Sequence, residues 1–433
     1  MSRYDDDEFT PEEIRDALRN KKKKLDKRKK KALLKKKKSD LSPLELKLYK
    51  RLKAKARKKK RRVILIIEII VILLLVGVFY VWSKIGKINF TKIGKTEKND
   101  LDTETEKLLH GYTNIALFGI DNRSNGNFDT GNSDAVMVAS INNDTKEVRI
   151  VSIYRDSFLD VDGNGKLRKC NYAYNHPEDG KKGPQEAIDM INRNLDLDIE
   201  DYVTVDFKAL VDAVDAVGGV DINIESTQEI KYLNDYMNEV EAITGKDSKR
   251  VTNTGMQHLN GVQALCYCRI RYTSGGDFKR AARQRTVLTQ IFEKAKSASA
   301  GQINDMIDGI FPEISTSLSA PELIGLATNV KSYKLAGTLG FPIDKRTATY
   351  GSAVGSVDVP CTLESNVRKV YAYLFNEEDY DPSEKVKEIS SEIQKYTGFD
   401  ESDAVNYGDD QYATGDGSQA VSSSSSDDTS SDQ

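Results

Sequence analysis

Residues 114–153 read NIALFGIDNRSNGNFDTGNSDAVMVASINNDTKEVRIVSI, which is three short apolar runs separated by polar turns. The runs at 114–120, 135–141 and 147–153 have the length and the β-branched content of strands. Asn142, Asn143 and Asp144 are turn residues, so the second and third runs are predicted to form a hairpin. This stretch therefore predicts the start of a sheet.

Farther along the chain, strands alternate with helices. Apolar residues at helical spacing predict helices, and short β-branched runs predict strands. The predicted helices are 185–195, 209–217, 281–298 and 321–330, and the strands are 202–207 and 220–224. Such alternation predicts one α/β or layered α/β/α domain, which we place at residues 112–376.

Residues 63–82 read VILIIEIIVILLLVGVFYVW and contain a single charge, Glu68. Twenty helical residues span about 30 Å, so this segment is predicted to be one transmembrane helix. Lys and Arg crowd residues 1–62, which predicts that this basic arm lies in the cytoplasm and that the chain after the helix lies outside the cell. We expect the arm to attract anionic membrane lipids rather than nucleic acid. Residues 83–111 are interpreted as a stalk, and 377–433 as a polar, acidic, Ser-rich disordered tail.

Several common classes of site are excluded by the sequence. Four cysteines at irregular spacing give neither a disulfide framework nor a zinc site, and a single disulfide stays open as an alternative. Three histidines lie in no catalytic motif, and Gly275-Gly276 lacks the Lys-Ser/Thr of a P-loop. Arginines and aspartates remain as the candidate functional residues.

The run ALCYCRIR (264–271) is predicted to be a strand. Arg269 and Arg271 would then share one face, while Cys266 and Cys268 would lie buried and reduced on the core face. Two guanidinium groups so close together repel each other unless an anion lies between them, and their forked geometry suits phosphate.

The helix that follows Gly276 is predicted to place Arg280 and Arg283 on one face of its first turns. Paired cations at a helix N-terminus oppose the helix dipole, and so they indicate a docked polyanion. Arg285 would point elsewhere, as a solvated charge.

Further charged residues follow or open the predicted strands, where ligands of α/β sheets collect. They are Asp121, Arg123, Asp134 and the pair Arg155-Asp156. Carboxylates beside arginines suggest Mg²⁺, with Mn²⁺ as the alternative, held by one or two Asp side chains together with phosphate oxygens.

Seven separated runs resemble the LytR-CpsA-Psr family of cell-wall enzymes, in order, from about residue 112 to 295. They are NIALFGIDNR, SDAVMVASIN, VSIYRDS, KCNYAY, YVTVDF, AVGGVDINI and QHLNGVQALCYCRIRYTSGGDFKRAARQ. The family usually has Pro where this chain has Tyr154, so the loop near Arg155 is expected to differ.

The resemblance implies a central mixed sheet flanked by helices in an α/β/α arrangement, enclosing an apolar tunnel for a polyprenyl chain. Asp121 and Asp134 match the metal and catalytic aspartates of the family, and Asp277 matches an acidic site residue. Arg155, Arg269, Arg271 and Arg280 match pyrophosphate-binding arginines. Arg283 and Gln284 match the closing Arg-Gln pair, and Lys169 and Asn171 match a Lys-x-Asn element near the head group.

The implied activity is a phosphotransfer. A polyprenyl-pyrophosphate-linked glycopolymer, either teichoic acid or a capsular or wall polysaccharide, would be attached to a sugar hydroxyl of peptidoglycan with release of polyprenyl phosphate. The sequence does not separate Asp121 from Asp134 as metal ligand or proton acceptor. Two alternatives stay open: a polyprenyl-pyrophosphate hydrolase, and a non-enzymatic membrane-bound regulator or lipid-binding scaffold.

Overall fold

The structure is a computed structural model that describes residues 88–408 except 122–127, 130 and 274, together with 412–414 and isolated positions before residue 88. The chain divides into two units, Met1–Ser83 and Lys84–Gln433, and the second is described below. The predicted transmembrane helix at 63–82 and most of the basic arm lie outside the described residues. Within the described part of the chain, no helix is both long enough and apolar enough to cross a membrane.

A mixed sheet of eight described strands forms the centre of this unit. In chain order these strands are β1 (Asn89–Phe90), β2 (Tyr112–Ile120), β3 (Ser133–Asn142), β4 (Glu147–Ile153), β7 (Asp201–Val205), β10 (Ile314–Thr316), β11 (Lys334–Phe341) and β14 (Tyr412–Thr414). Their order across the sheet is β1-β10-β7-β2-β3-β4-β11-β14. Three small two-stranded sheets comprise β5 (Phe158–Asp160) with β6 (Leu167–Lys169), β8 (Val220–Ile224) with β9 (Gly255–Leu259), and β12 (Lys345–Tyr350) with β13 (Gly355–Pro360).

The centre of the sheet follows the predicted pattern. β2, β3 and β4 are antiparallel neighbours, and the predicted hairpin joins β3 to β4. β7 runs parallel to β2, and β11 runs parallel to β4. The combination of parallel and antiparallel pairs confirms the mixed sheet.

Helices connect and cover these strands. They are α1 (Thr103–His110), α2 (Asn171–Asn175), α3 (Gly183–Leu195), α4 (Phe207–Ala216), α5 (Thr227–Thr244), α6 (Gly261–Arg269), α7 (Gly276–Ser297), α8 (Ala300–Ile310), α9 (Ala320–Thr328), α10 (Gly351–Val354), α11 (Leu363–Phe375) and α12 (Glu384–Thr397). The four predicted helices correspond to α3, α4, α7 and α9 with small differences at their ends.

Opposite faces of the sheet pack against different helices because side chains alternate along a strand. On one face, Phe118 belongs to a core that also holds residues of α3, α11 and α12. On the other face, Leu117 packs in a core with Leu288 and Phe292 of α7. These two cores confirm a layered α/β/α domain. A further core joins α4, α5 and α6 to the small sheet of β8 and β9.

The segment ALCYCRIR differs from its predicted strand, because residues 261–269 form α6. Asn260 caps this helix: its side chain accepts the Gln263 N–H, and the Gln263 side chain accepts the Asn260 N–H. This reciprocal capping box satisfies backbone donors that a strand would have paired with a neighbour. Cys266 and Cys268 are nevertheless buried and free, as predicted.

The limits of the folded region also differ from the sequence-based interpretation. Part of the predicted stalk is packed on the domain, since the backbone N–H of Glu97 donates to Asp189 of α3 at 2.7 Å. Part of the predicted tail is folded as well, because α12 buries Val386, Ile389 and Ile393. Residues 415–433 lie outside the described residues.

Candidate active site

A cavity of about 560 Å³ lies between the central sheet and the helices α4, α6 and α7. Much of its wall is apolar, and its charged side chains are contributed by strand ends and helix ends. The apolar wall includes Leu117, Met137, Val203, Val205, Leu210, Leu265, Val287 and Leu288. The charged side chains are Asp121, Asp134, Asp206, Arg155, Arg269, Arg271 and Arg280. Six of these seven charged residues were predicted site residues, all but Asp206, and they meet at one cavity with an apolar section.

A bulge between β2 and β3 positions Asp134. Gly119 pairs with Ala135, but the next residue, Ile120, pairs with Ser133, so Asp134 is the extra residue of β3. A bulged residue leaves the regular ladder and its side chain is re-aimed. Asp121 follows the end of β2 at the same edge of the sheet, and its N–H donates to the Asn132 carbonyl at 3.3 Å.

Three arginines surround the carboxylate of Asp134. Arg155 Nη1 lies 2.8 Å from Asp134 Oδ1, and Arg271 Nη2 lies 3.3 Å from Oδ2. Arg280 is more distant from the carboxylate, at 3.8 Å, and donates to the Asp134 carbonyl oxygen at 3.1 Å. These residues come from β3, the end of β4, the segment after α6 and the first turns of α7.

Asp277 contacts the same three arginines from the first turn of α7. Its carboxylate oxygens lie 3.7 Å from Arg155 Nε, 3.6 Å from Arg271 Nε and 3.4 Å from Arg280 Nε. An acidic side chain in a first helical turn also interacts favourably with the helix dipole. Asp134 and Asp277 together hold three guanidinium groups close to one another.

The pKa values of Arg280, Asp277 and Arg155 reflect a balance between burial, which opposes ionisation, and the opposite charges nearby, which favour it. Burial lowers the pKa of Arg280 to about 10, even though Asp277 and Asp134 raise it, so the guanidinium stays charged at neutral pH. Burial opposes ionisation of Asp277, but Arg280, Arg155 and Arg271 bring its pKa below the ordinary value. For Arg155 burial is likewise outweighed, and Asp156, Asp277 and Asp134 raise its pKa.

Several guanidinium donors at the cavity remain without a hydrogen bond from the described part of the chain. Arg155 Nε and Arg280 Nε face Asp277 at ion-pair distance but are buried without a hydrogen-bond acceptor. Arg269 Nη1 is also buried without a hydrogen-bond acceptor among the described residues. Buried donors of this kind favour a ligand that brings acceptor oxygens, and a phosphate group has the matching geometry.

Arg269 lies at the end of α6 and is separate from the cluster around Asp134. Its guanidinium stacks on Phe207 and Tyr236, with the central carbon 5.1 Å and 4.9 Å from the ring centroids. Its Nη2 pairs with Glu239 at 3.2 Å. The expected arrangement of Arg269 beside Arg271 on one strand face is therefore wrong, because the chain is helical there, although both residues line the cavity.

The remaining predicted residues occupy varied positions. Gln284 lines the cavity. Lys169 pairs with Asp156 at 3.0 Å, and the backbone N–H of Asn171 donates to the Arg155 carbonyl at 3.2 Å, so both residues support the Arg155 loop. Arg123 lies outside the described residues.

Arg283 and Arg285 differ from their predicted roles. Arg283 turns away from Arg280, and its Nη2 lies 2.6 Å from the buried carboxylate of Glu229. Arg285 is not solvated but fully buried. Spacing of three residues on a helix predicted a shared face, but α7 is enclosed on more than one side, so neighbouring arginines meet different partners.

Tyr154, which stands where the family usually has Pro, is buried beside the arginine cluster. Its ring packs edge-on against Phe278 at 4.9 Å, and its N–H donates to the Phe341 carbonyl at 2.8 Å. Phe278 follows Asp277 in α7, so this contact helps to hold the first turn of that helix. A proline could not donate the backbone hydrogen bond.

Sequence reasoning missed the aromatic side chains that flank Arg269. Tyr236 belongs to α5, a helix that was not predicted, and Phe207 was assigned to the end of a strand. Neither residue carries a charge or a motif. The signal that could have identified them is the amphipathic pattern of 227–244, whose buried positions include Leu233, Met237 and Val240.

The predicted metal ion would need oxygens of the substrate as ligands in addition to those of the protein. Among the described residues, no group of three or more His, Cys, Asp and Glu side chains is arranged to hold a metal ion. Asp121 and Asp134 supply two carboxylates at one cavity edge, which is the hard oxygen chemistry that Mg²⁺ prefers. The residues present fit a metal bound jointly by Asp121, Asp134 and phosphate oxygens.

Comparisons with known proteins identify the family that this chain resembles. The profile of the LytR_cpsA_psr family matches residues 79–354. A polyisoprenyl-teichoic acid–peptidoglycan teichoic acid transferase TagU of Enterococcus faecalis is 30% identical over 220 residues, which cover 50% of this chain and 65% of that protein. The Bacillus cereus protein of the same name is 30% identical over 260 residues, covering 59% of this chain and 77% of that protein.

A solved structure supports the fold. The Streptococcus agalactiae protein gbs0355 superposes with a TM-score of 0.51 at 22% identity, covering 69% of this chain and 98% of that one. Identity at this level indicates a common architecture and carries no information on substrate.

Proposed function

Because the chain belongs to the LytR-CpsA-Psr family, we propose that it is a phosphotransferase that moves a glycopolymer from a polyprenyl-pyrophosphate carrier onto a sugar hydroxyl of peptidoglycan. The observation that carries this proposal is the convergence of Arg155, Arg271 and Arg280 on a partly apolar cavity, where the Nε donors of Arg155 and Arg280 have no hydrogen-bond acceptor among the described residues. The names of the enterococcal and bacillar relatives support an anionic wall polymer, such as teichoic acid, as the cargo.

The arginine cluster would bind the pyrophosphate. Arg155 and Arg271 are partly exposed, so each could replace its ion pair with Asp134 by contacts to phosphate oxygens. Arg280 is buried and would contribute its positive charge to the site. Phosphoryl transfer depends mainly on positioning and on neutralising charge that develops at the phosphate oxygens. Guanidinium groups that Asp134 and Asp277 already hold close together would meet both requirements once phosphate oxygens replace the Asp134 carboxylate.

Asp121 and Asp134 would share two tasks. Either carboxylate can orient the acceptor hydroxyl or accept its proton, and together they would hold Mg²⁺ against the pyrophosphate. The metal, when bound, would neutralise part of the phosphate charge. The polyprenyl phosphate then leaves along the apolar wall, where Leu117, Met137 and Val205 offer a surface for the lipid.

The membrane arrangement forms part of the proposal. The basic arm would lie in the cytoplasm, the segment 63–82 would span the membrane once, and the domain would face the wall. A lipid-linked donor requires an active site close to the outer surface of the membrane, and a single anchor provides that proximity.

The test is transfer of a labelled lipid-linked glycopolymer to peptidoglycan oligomers by the full chain in detergent. Arg271→Ala removes a charge-assisted hydrogen bond to phosphate worth about 1.5–3 kcal/mol, so the transfer rate should fall at least roughly 10- to 150-fold. Asp134→Asn should have an equal or larger effect. The matched control is Arg250→Ala, since Arg250 is a half-exposed arginine paired with Glu241 outside the cavity.

Three outcomes separate the interpretations. Loss of transfer in Arg271→Ala with an unchanged melting temperature supports the proposal. Normal transfer by that variant, or a loss that only follows unfolding, would show that the pyrophosphate binds elsewhere. Release of free polymer by the wild-type chain without transfer to peptidoglycan would identify a hydrolase instead.

A further inference from the structure

The loop between β5 and β6 carries a cation-binding pattern that lies outside the arginine cavity. Residues 160–165 read DVDGNG, which is the spacing D-x-D-x-N-G of loops that bind Ca²⁺ through side-chain oxygens at positions one, three and five. Such a pattern is common by chance in a turn rich in Asp, Asn and Gly. It therefore needs support from the geometry.

Asp160 provides that support. Its side chain is fully buried, and its Oδ1 accepts the N–H of Gly163 at 3.0 Å, so the carboxylate lies inside the loop. Its Oδ2 is also buried and accepts no hydrogen bond in the described part of the chain. A buried carboxylate is expected to be paired with a cation, fully hydrogen-bonded or bound to a metal. Among the described residues, the Oδ2 atom of Asp160 has neither a cation nor a hydrogen-bond donor as its partner.

The next two oxygen donors lie on the same turn. Asp162 Oδ1 accepts the N–H groups of Asn164 at 3.0 Å and Lys166 at 3.3 Å, which curls the chain around the carboxylates. Gly165, the sixth residue of the pattern, has a φ of 77°, as the sharp turn at that position requires. The Lys166 carbonyl, at position seven, accepts the Val161 N–H at 3.2 Å and retains a second lone pair.

Neighbouring cations do not neutralise Asp160. Lys166 Nζ is directed to the Tyr172 hydroxyl at 3.3 Å. Arg193 lies against Gly163 but pairs with Glu97 at 3.2 Å, and no ion pair within the described residues joins either cation to Asp160. Glu392 of α12 adds further negative charge, because its Oε2 lies 3.4 Å from the position that a Cβ on Gly165 would occupy.

We propose that the loop 160–166 binds one Ca²⁺ ion through side-chain oxygens of Asp160, Asp162 and Asn164 and the carbonyl oxygen of Lys166. Ca²⁺ accepts a flexible set of carboxylate, amide and carbonyl oxygens, whereas Mg²⁺ demands near-octahedral geometry and keeps much of its water. Asp162, Gly163 and Asn164 border a polar cavity of about 520 Å³, which gives the ion a route to the loop.

The site is expected to be weak. The twelfth position, which carries a bidentate Glu in the full pattern, is Asn171 here, and no third acidic side chain of the described residues completes a metal-binding group. Loops with few charged ligands bind Ca²⁺ with dissociation constants of roughly 10⁻⁴–10⁻³ M, as extracellular modules do.

A bound ion would stiffen the hairpin of β5 and β6. β6 ends at Lys169, whose Nζ pairs with Asp156 beside Arg155, so the loop is linked to the arginine cavity through one short strand. Binding of Ca²⁺ itself does not depend on the proposed transfer reaction.

The experiment titrates CaCl₂ into the full chain in detergent, with calorimetry and thermal melting as readouts and MgCl₂ as the comparison ion. Ca²⁺ should raise the melting temperature at millimolar concentration, reversibly with a chelator, while Mg²⁺ should have a smaller effect. Asp162→Asn should raise the dissociation constant more than about tenfold, since loss of even an outer-shell partner weakens metal sites 10- to 100-fold. Asp160→Asn provides a second variant, and Asp144→Asn, in the exposed β3–β4 turn, is the matched control.

A further variant distinguishes Ca²⁺ binding at the loop from Ca²⁺ binding in the arginine cavity. Asp134→Asn should keep the Ca²⁺-dependent stabilisation, because Asp134 belongs to the proposed pyrophosphate site. Stabilisation that is lost in Asp134→Asn and kept in Asp162→Asn would place the ion in the cavity and overturn the inference. The inference would also be overturned if the wild-type chain bound no Ca²⁺ at concentrations up to about ten times the weakest expected dissociation constant, which is roughly 10⁻³ M.

Discussion

The buried pair of Arg283 and Glu229 distinguishes an arginine with a structural contact from the arginines that line the cavity. Arg283 Nη2 lies 2.6 Å from Glu229 Oε1, and both side chains are almost fully buried, at 4% and 3% exposure. Arg283 also donates to the Ile270 carbonyl at 3.1 Å and to the Thr273 hydroxyl at 2.8 Å. These contacts anchor the segment that carries Arg271. We predict that Arg283→Met destabilises the fold much more than Arg271→Ala does.

The magnitude follows from what each change leaves behind. Removing Arg283 strands the carboxylate of Glu229 in the interior, and breaking a buried pair in this way costs about 3–5 kcal/mol of unfolding free energy. Arg271 is one-third exposed at the cavity, so loss of its ion pairs should cost under about 1 kcal/mol. The two substitutions should therefore differ several-fold in their effect on stability.

A double-mutant cycle tests this assignment. Glu229→Gln removes the charge but keeps an oxygen that can accept the Glu225 N–H, which now donates to Glu229 at 2.8 Å. Urea denaturation of the full chain in detergent, followed by circular dichroism, measures all four members of the cycle. Arg283→Met combined with Glu229→Gln should recover most of the stability lost in Arg283→Met alone, because no unpaired charge remains.

Two results would refute the reasoning. If Arg283→Met unfolds at the wild-type urea concentration but fails to transfer polymer, Arg283 is a ligand-binding residue and its contact with Glu229 is incidental. If the double variant is as unstable as Arg283→Met, the cost comes from lost packing or from the contacts to Ile270 and Thr273 rather than from the stranded carboxylate.

Two further predictions concern pH and topology. Burial raises the pKa of Asp358 to about 7, so between about pH 4 and pH 7 the native state holds a proton that the unfolded chain has lost, and stability should fall by as much as about 4 kcal/mol as pH rises through that range. Asp358→Asn should lack this contribution in denaturation curves measured at pH 4.5 and pH 8, and parallel pH profiles would contradict the assignment. For topology, an engineered cysteine near residue 100 should react with a membrane-impermeant reagent on intact cells and one near residue 15 should not, and the reverse labelling pattern would exclude the proposed orientation.

Local sequence patterns were sufficient to predict much of the fold. The runs at 114–120, 135–141 and 147–153 alternate and end in turn residues, so the hairpin of β3 and β4 and its neighbour β2 could be predicted without tertiary information. The helices α3, α4, α7 and α9 were visible for the same reason. Their apolar spacing and their ends depend on residues close together in the chain.

Predictions were less accurate wherever tertiary contacts compete with local preference. The run ALCYCRIR has strand-like composition, but its apolar side chains pack in a core with α4 and α5, and residues 261–269 are helical. The polar segment after Glu377 has the composition of a disordered tail, yet α12 buries one narrow apolar stripe against α3 and β5. A stripe of this width becomes stabilising only when a partner surface is present.

The sequence by itself determined that this chain holds a mixed α/β domain with arginines and aspartates at the ends of its strands, because strand periodicity and charge are properties of neighbouring residues. Tertiary structure alone decided which of those charges face a common cavity. Arg280 and Arg283 are three residues apart on one helix, but only Arg280 points to Asp134, while Arg283 is bound to a carboxylate 54 residues away in the chain. Electrostatic pairing depends on distance in space, and a linear sequence does not specify which distant carboxylate a buried guanidinium will meet.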